Sequence, residues 1–190
     1  LKTQGRHPDA NQHYIATPDN TNQDIPLIIL INNATASAAE VLAAAINDHD
    51  KGLLLGTHSY GKGSVQRVRY LPNKGKLNIT WKELFTPQGF SFTEFSVSPK
   101  LCTANKNKIS QIASSTLLES ILEKINHKEL RRSKNSYSTK GKDLKVDNKC
   151  KTLKSKLGSS KDYDLKIALD ILANKRLYVE IVNHPGIIDF

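Results

Sequence analysis

A chain of 190 residues, 38% hydrophobic and 24% charged, is long enough to bury a real core as one domain with room for an appendage. No apolar run approaches the ~20 residues that a membrane-spanning helix needs. The formal charge of +10 is uneven: residues 101–160 carry 14 Lys+Arg against 5 Asp+Glu, whereas residues 1–100 net only +2 and residues 161–190 net −1.

Residues 1–24 hold three polar turn clusters and read as a surface connection, with a short strand near His13-Tyr14-Ile15. His7 and His13 read there as exposed loop histidines. The informative stretch runs from Ile25 to Gln66. Pro26 to Ile31 is short, apolar and branched, as a buried strand is. An Ala-rich run from about Thr35 to Ile46 has strong helix propensity and ends at Lys51-Gly52. Leu53-Leu54-Leu55 makes a second buried strand, followed by the glycine-bracketed loop Ser59-Tyr60-Gly61-Lys62-Gly63-Ser64. A strand–helix–strand unit places its two strands parallel in one sheet.

Beyond Lys62, Val65 to Leu71 alternates apolar and polar residues. Pro72 to Gly75 is a turn and Leu77 to Phe85 the return strand of a hairpin. Residues 101–190 read as a C-terminal region with helices over 114–130 and 163–174, a basic Lys- and Ser-rich flexible loop over 131–161, and a strand from Leu177 to Val182. The whole is an α/β fold: a strand–helix–strand core with a mixed sheet, built by residues 25–100, plus C-terminal helices. Cys102 and Cys150 show no metal-ligand spacing, so a zinc site is not expected. They are either two buried thiols or a disulfide suited to an oxidising compartment such as the periplasm.

Parallel strands put their carboxyl ends on one sheet edge, where open α/β folds place ligands. Ser37, after the first strand, and Lys62, after the second, are expected to meet there. A serine hydroxyl is a weak nucleophile until a base takes its proton. A lysine can be that base where a dry, apolar site favours its uncharged form. Ser37 at a helix start also lies among free N–H groups, including that of Ala38, that can stabilise an oxyanion.

The segments Asn33-Ala-Thr-Ala-Ser-Ala-Ala-Glu40 and Gly61-Lys-Gly-Ser-Val-Gln66 resemble the paired motifs of the C-terminal processing peptidases, or tail-specific proteases. The resemblance continues through Leu77 to Gly89, where Thr86-Pro-Gln-Gly89 looks like the family's turn, and returns faintly at Asp164 to Leu172. It implies a ClpP/crotonase-like protease core and a serine–lysine dyad, with Ser37 as nucleophile and Lys62 as base. Gln66 would orient the lysine, and Glu40 and Asp48 would take supporting or charge-relay parts. It also implies polypeptide substrates with accessible C-terminal tails, no cofactor or metal, and the periplasm or cell envelope of a bacterium. The family's upstream PDZ domain and Arg-x-Asn-Pro-Gly-Gly segment have no counterpart here, so the chain reads as the C-terminal half of a protease domain.

Other readings compete on the same residues. Ser37-x-x-Glu40 also fits a plain capping box. A Ser–His–Asp triad would need His49, roughly 18 Å away along the helix, or His58, which lies near Lys62 and which geometry alone does not exclude. A binding protein on the same scaffold is the second hypothesis. The basic stretch 101–160 offers only Tyr137 as an aromatic, so nucleic acid is not expected, whereas peripheral contact with an anionic membrane surface stays open.

Overall fold

The computed structural model describes residues 1–17, 25–104, 119–123, 137–139, 150, 162–184 and 188–189. Their strands are β1 (Lys2–Gln4), β2 (Gln12–His13), β3 (Ile28–Ile31), β4 (Leu53–Gly56), β5 (Ser64–Tyr70), β6 (Lys76–Phe85), β7 (Phe95–Val97), β8 (Leu101–Cys102), β9 (Tyr137–Thr139) and β10 (Ile188–Asp189). Three helices are complete: α1 (Ala38–Asp48), α2 (Tyr163–Ala173) and α3 (Lys175–Asn183). Residues 119–123 are helical as well, and the remainder of the helix expected over 114–130 lies outside the described residues. So does most of the basic loop expected over 131–161, within which β9 pairs antiparallel with β7.

The strand–helix–strand unit forms as its sequence predicts. β3 and β4 pair in parallel, Ile28 opposite Leu53 through Ile31 opposite Gly56, and α1 is the crossover between them. β4 continues in parallel to β8 and β8 to β10, so the sheet order is β10-β8-β4-β3. Antiparallel pairing is confined to the other sheets, chiefly β2-β1-β6-β5. β4 is central and covered on both faces, which is why its leucines run without alternation. Leu53 and Leu55 pack with Ile167, Ile171, Leu177 and Ile181 of α2 and α3. Leu54 faces the other way, with Ala43 and Ala44 of α1, Phe92 and Val97. All three leucines are fully buried, each worth roughly 1.5–3 kcal/mol of apolar transfer.

Two readings differ from expectation. Residues 1–17 of the expected surface connection supply β1, which lies between β2 and β6 in the antiparallel sheet with Thr3 buried. Leu177 to Val182, expected as a strand, lies inside α3. Its apolar residues fit both periods, and the helical one buries more. Leu177 and Ile181 sit one turn apart in the core with Tyr178 and Val182 beside them, while Val179, inward in a strand pattern, is 45% exposed. Asn174 starts the helix by accepting the Leu177 N–H at 3.1 Å, and its own N–H closes α2 on the Ile171 carbonyl at 3.0 Å. Arg176 and Glu180 add an exposed ion pair one turn apart.

Cys102 and Cys150 are joined in a disulfide, with Cα atoms 5.7 Å apart and 48 residues between them in sequence. Closing a loop of that length stabilises the fold by up to about 4 kcal/mol in the chain-entropy account. Reduction, or Cys150→Ser, is therefore expected to lower the unfolding free energy by about 2–4 kcal/mol. Urea melts with and without reductant read this directly, and superimposable curves would remove the disulfide from the list of stabilising features.

Candidate active site

The turn from β3 into α1 is built by local hydrogen bonds. Asn32 Oδ1 accepts the Ala34 N–H at 2.8 Å, Asn32 O accepts the Thr35 N–H at 2.9 Å, and Thr35 Oγ1 accepts the Asn32 N–H at 3.0 Å. Ser37 follows with φ 56° and ψ −119°, outside the ordinary regions for a side-chain-bearing residue. Such a conformation costs on the order of 1–3 kcal/mol and is held by its surroundings. A plain N-cap sits instead in the extended region. Ser37 and Glu40 do take the capping-box arrangement, so that reading of the local pattern is also met. Ala38 opens α1, and its N–H is one of the four that a helix leaves without an internal partner.

Glu40 does far more than cap. It is fully buried, and every partner donates to it. Oε2 accepts the N–H of Ser37 at 2.9 Å and that of Lys62 at 2.7 Å. Oε1 accepts the Ser59 hydroxyl at 2.5 Å and the Gly61 N–H. Both oxygens thus act as acceptors only, the pattern of an ionised carboxylate. One oxygen shared by Ser37 and Lys62 holds their backbones within two hydrogen-bond lengths of each other. Sequence reading brought these residues to one sheet edge, and the structure brings their backbones to one atom.

Ser59 is the member that sequence reading missed. Its hydroxyl also accepts the Val97 N–H at 2.8 Å, tying the Lys62 loop to β7. No composition or spacing signal marks it, because its partners come from elements that meet only in the fold. The glycines around Lys62 have separate reasons. Gly61 takes φ 79°, which a side chain resists. Gly63 lies so close to the Phe92–Thr93 backbone that a Cβ there would sit 2.1 Å from Thr93 N. Gly63→Ala is accordingly expected to push the Lys62 loop away from the Phe92–Thr93 backbone. It should show as faster amide exchange at Lys62 and a stability loss of about 1–3 kcal/mol, and unchanged exchange would contradict that packing.

The other expected residues are placed less tightly. Lys62 lines a cleft of about 590 Å³ together with Ala34, Ala36 and Tyr60, and its side chain is exposed rather than dry. Among the described residues no hydrogen bond joins it to Ser37 or Gln66. Gln66 is exposed on β5 opposite Thr80, beside a break in register between Val65 and Gln66 that re-aims the strand. Asp48 is at the far end of α1, about 16 Å from Ser37 at 1.5 Å per residue. There it accepts the Gln88 N–H at 3.0 Å, holding the Thr86–Gly89 turn against the helix. His49 closes the same end of α1. His58 is buried, its Nδ1 3.0 Å from the Ser98 hydroxyl. Among the described residues no group of His, Cys, Asp or Glu is placed to hold a metal ion.

These features define an α/β protein with a strained serine and a lysine loop joined at the carboxyl edge of two parallel strands. Residues 1–101 match the family model of peptidase family S41, and the chain belongs to that family. A carboxy-terminal-processing protease of Bartonella bacilliformis is 35% identical over 101 residues, covering 53% of this chain and 23% of that protein. A chloroplastic C-terminal processing peptidase of Tetradesmus obliquus is 37% identical over 86 residues, 45% of this chain and 18% of the relative. A probable CtpA-like serine protease of Staphylococcus haemolyticus is 33% identical over 95 residues, 49% of this chain and 19% of the relative. Among solved structures, a photosystem II D1 C-terminal processing protease shows 39% identity with a TM-score of 0.38, covering 40% of this chain and 20% of the other. The chain spans about a fifth of the length of the relatives it matches.

Proposed function

We propose that this chain carries the serine and lysine of a C-terminal processing peptidase, which hydrolyses extended polypeptides near their C-termini. The observation that carries the reading is the Glu40 oxygen shared by the Ser37 and Lys62 backbones. The strained Ser37 turn supports it, since nucleophilic serines are held exposed on sharp strand-to-helix turns of this kind. Ser37 Oγ attacks the scissile carbonyl while Lys62 Nζ takes its proton and then gives it to the leaving amine. The Ala38 N–H donates to the oxyanion. Water hydrolyses the acyl-enzyme by the same proton route in reverse. Gln66 orients the Lys62 amine, and Asp48 acts at a distance by fixing the Thr86–Gly89 turn. No cofactor is called for.

Location and membrane contact belong to the same proposal. The disulfide favours an oxidising compartment, the periplasm or cell envelope of a bacterium. No described helix is long and apolar enough to cross a membrane. Peripheral contact through the basic stretch 101–160 predicts binding to anionic vesicles that weakens as salt is raised.

A fluorophosphonate probe on the whole polypeptide tests the chemistry. Labelling at Ser37 that disappears in Ser37→Ala is the expected result. A folded protein that the probe leaves untouched would favour a non-catalytic binding protein on the same scaffold.

A further inference from the structure

Burial alternates residue by residue along the loop after β4: Ser59, Gly61 and Gly63 are buried, Tyr60 and Lys62 exposed. Glu40 draws Ser59 and Gly61 inward, and Gly63 is seated against the Phe92–Thr93 backbone, so the two residues between are turned outward together. Tyr60 is 63% exposed, yet its backbone is fixed, its N–H bonded to the Thr35 carbonyl at 2.9 Å. Both outward residues line the same cleft, whose other walls include Ala34, Ala36, Ser64 and Thr93. Apart from Tyr60 and Lys62 that lining is small and uncharged.

We propose that Tyr60 is a specificity-determining residue whose ring forms the apolar wall for a large uncharged side chain of the polypeptide, beside the bond that is cut. The inference rests on the proteolytic reading and names the substrate class of that same site. An aromatic ring on a fixed backbone offers a large apolar area at little cost in conformational freedom. The small residues opposite leave room for the incoming side chain, and its packing over the loop expels water from around Lys62. A glycine at that substrate position would leave the ring uncovered.

The test uses the whole polypeptide and a set of peptides with Leu or Gly at each position flanking the cleaved bond. One position is expected to favour Leu, and Tyr60→Ala should shrink that Leu-over-Gly preference in kcat/KM by about tenfold. Tyr60→Phe, which keeps the ring, should retain it. An unchanged preference in Tyr60→Ala overturns the proposal. Equilibrium binding of the same peptides to the Ser37→Ala form reads the cleft without turnover. There, a Leu preference that depends on Tyr60 upholds the ring's role even if no peptide is cut, an outcome that would sink the proteolytic reading alone. Equal affinities for the Leu and Gly peptides would overturn the Tyr60 assignment.

Discussion

Replacing Lys62 with alanine in the whole polypeptide is expected to lower kcat/KM for a cleavable peptide by about 10⁴ or more, because a serine without its base loses most of its reactivity. The same substitution should leave folding stability within about 0.5 kcal/mol, since the side chain is exposed and makes no hydrogen bond or ion pair among the described residues. That separation makes the experiment decisive. His58→Ala should do the reverse: it breaks a buried pairing with Ser98, so it should cost stability while leaving most of the activity in the protein that stays folded. Peptide cleavage followed by mass spectrometry, alongside thermal melts of both variants, reads the two effects. Full cleavage by Lys62→Ala would end the lysine-base proposal.

How much of this was legible beforehand depended on whether the deciding contacts were local. The strand–helix–strand unit could be read because β3, α1 and β4 each carry their own signal, in the branched run before Asn32, the alanines after Ser37, and Leu53 to Leu55 bounded by glycines. The meeting of Ser37 and Lys62 then followed from parallel pairing alone. α3 was misread because Leu177, Ile181 and their neighbours satisfy two periods, and β-branched composition favours the strand. The helix wins through the Asn174 cap and the burial of Leu177 and Ile181 against β4, neither of which composition reveals. Glu40 was visible as a capping residue, yet three of its four donors come from positions 19 to 22 residues downstream and exist only once β4 has folded beside α1. The dry surroundings expected of Lys62 are a tertiary property of the same kind, and the described residues leave that side chain in solvent.

Glu40→Ala is the substitution expected to damage both stability and chemistry. It leaves four donors without their acceptor: the N–H groups of Ser37, Gly61 and Lys62, and the Ser59 hydroxyl. Two of these donors are buried and two partly buried, so at about 1 kcal/mol or more for each buried donor left unpaired the loss is about 2–4 kcal/mol, a large part of a single domain's stability. Glu40→Gln is the sharper probe, because it keeps the shape and offers only one acceptor oxygen. Whichever way the amide turns, its NH₂ faces either the Gly61 N–H or the pair from Ser37 and Lys62. At least one side of the bridge is then opposed donor to donor. If the bridge is what holds nucleophile and base in register, Glu40→Gln should lose about 10²-fold or more in kcat, since small misplacements at a reacting centre are that costly. Its stability loss should be smaller than that of Glu40→Ala. Amide hydrogen exchange at Lys62, compared with fully buried Leu54 and Leu55 in the same sample, separates a loosened loop from global unfolding. A Glu40→Gln protein that cleaves at the wild-type rate, with Lys62 as protected as before, would mean that a single acceptor oxygen suffices and the second carboxylate oxygen is not needed to hold helix and loop in register.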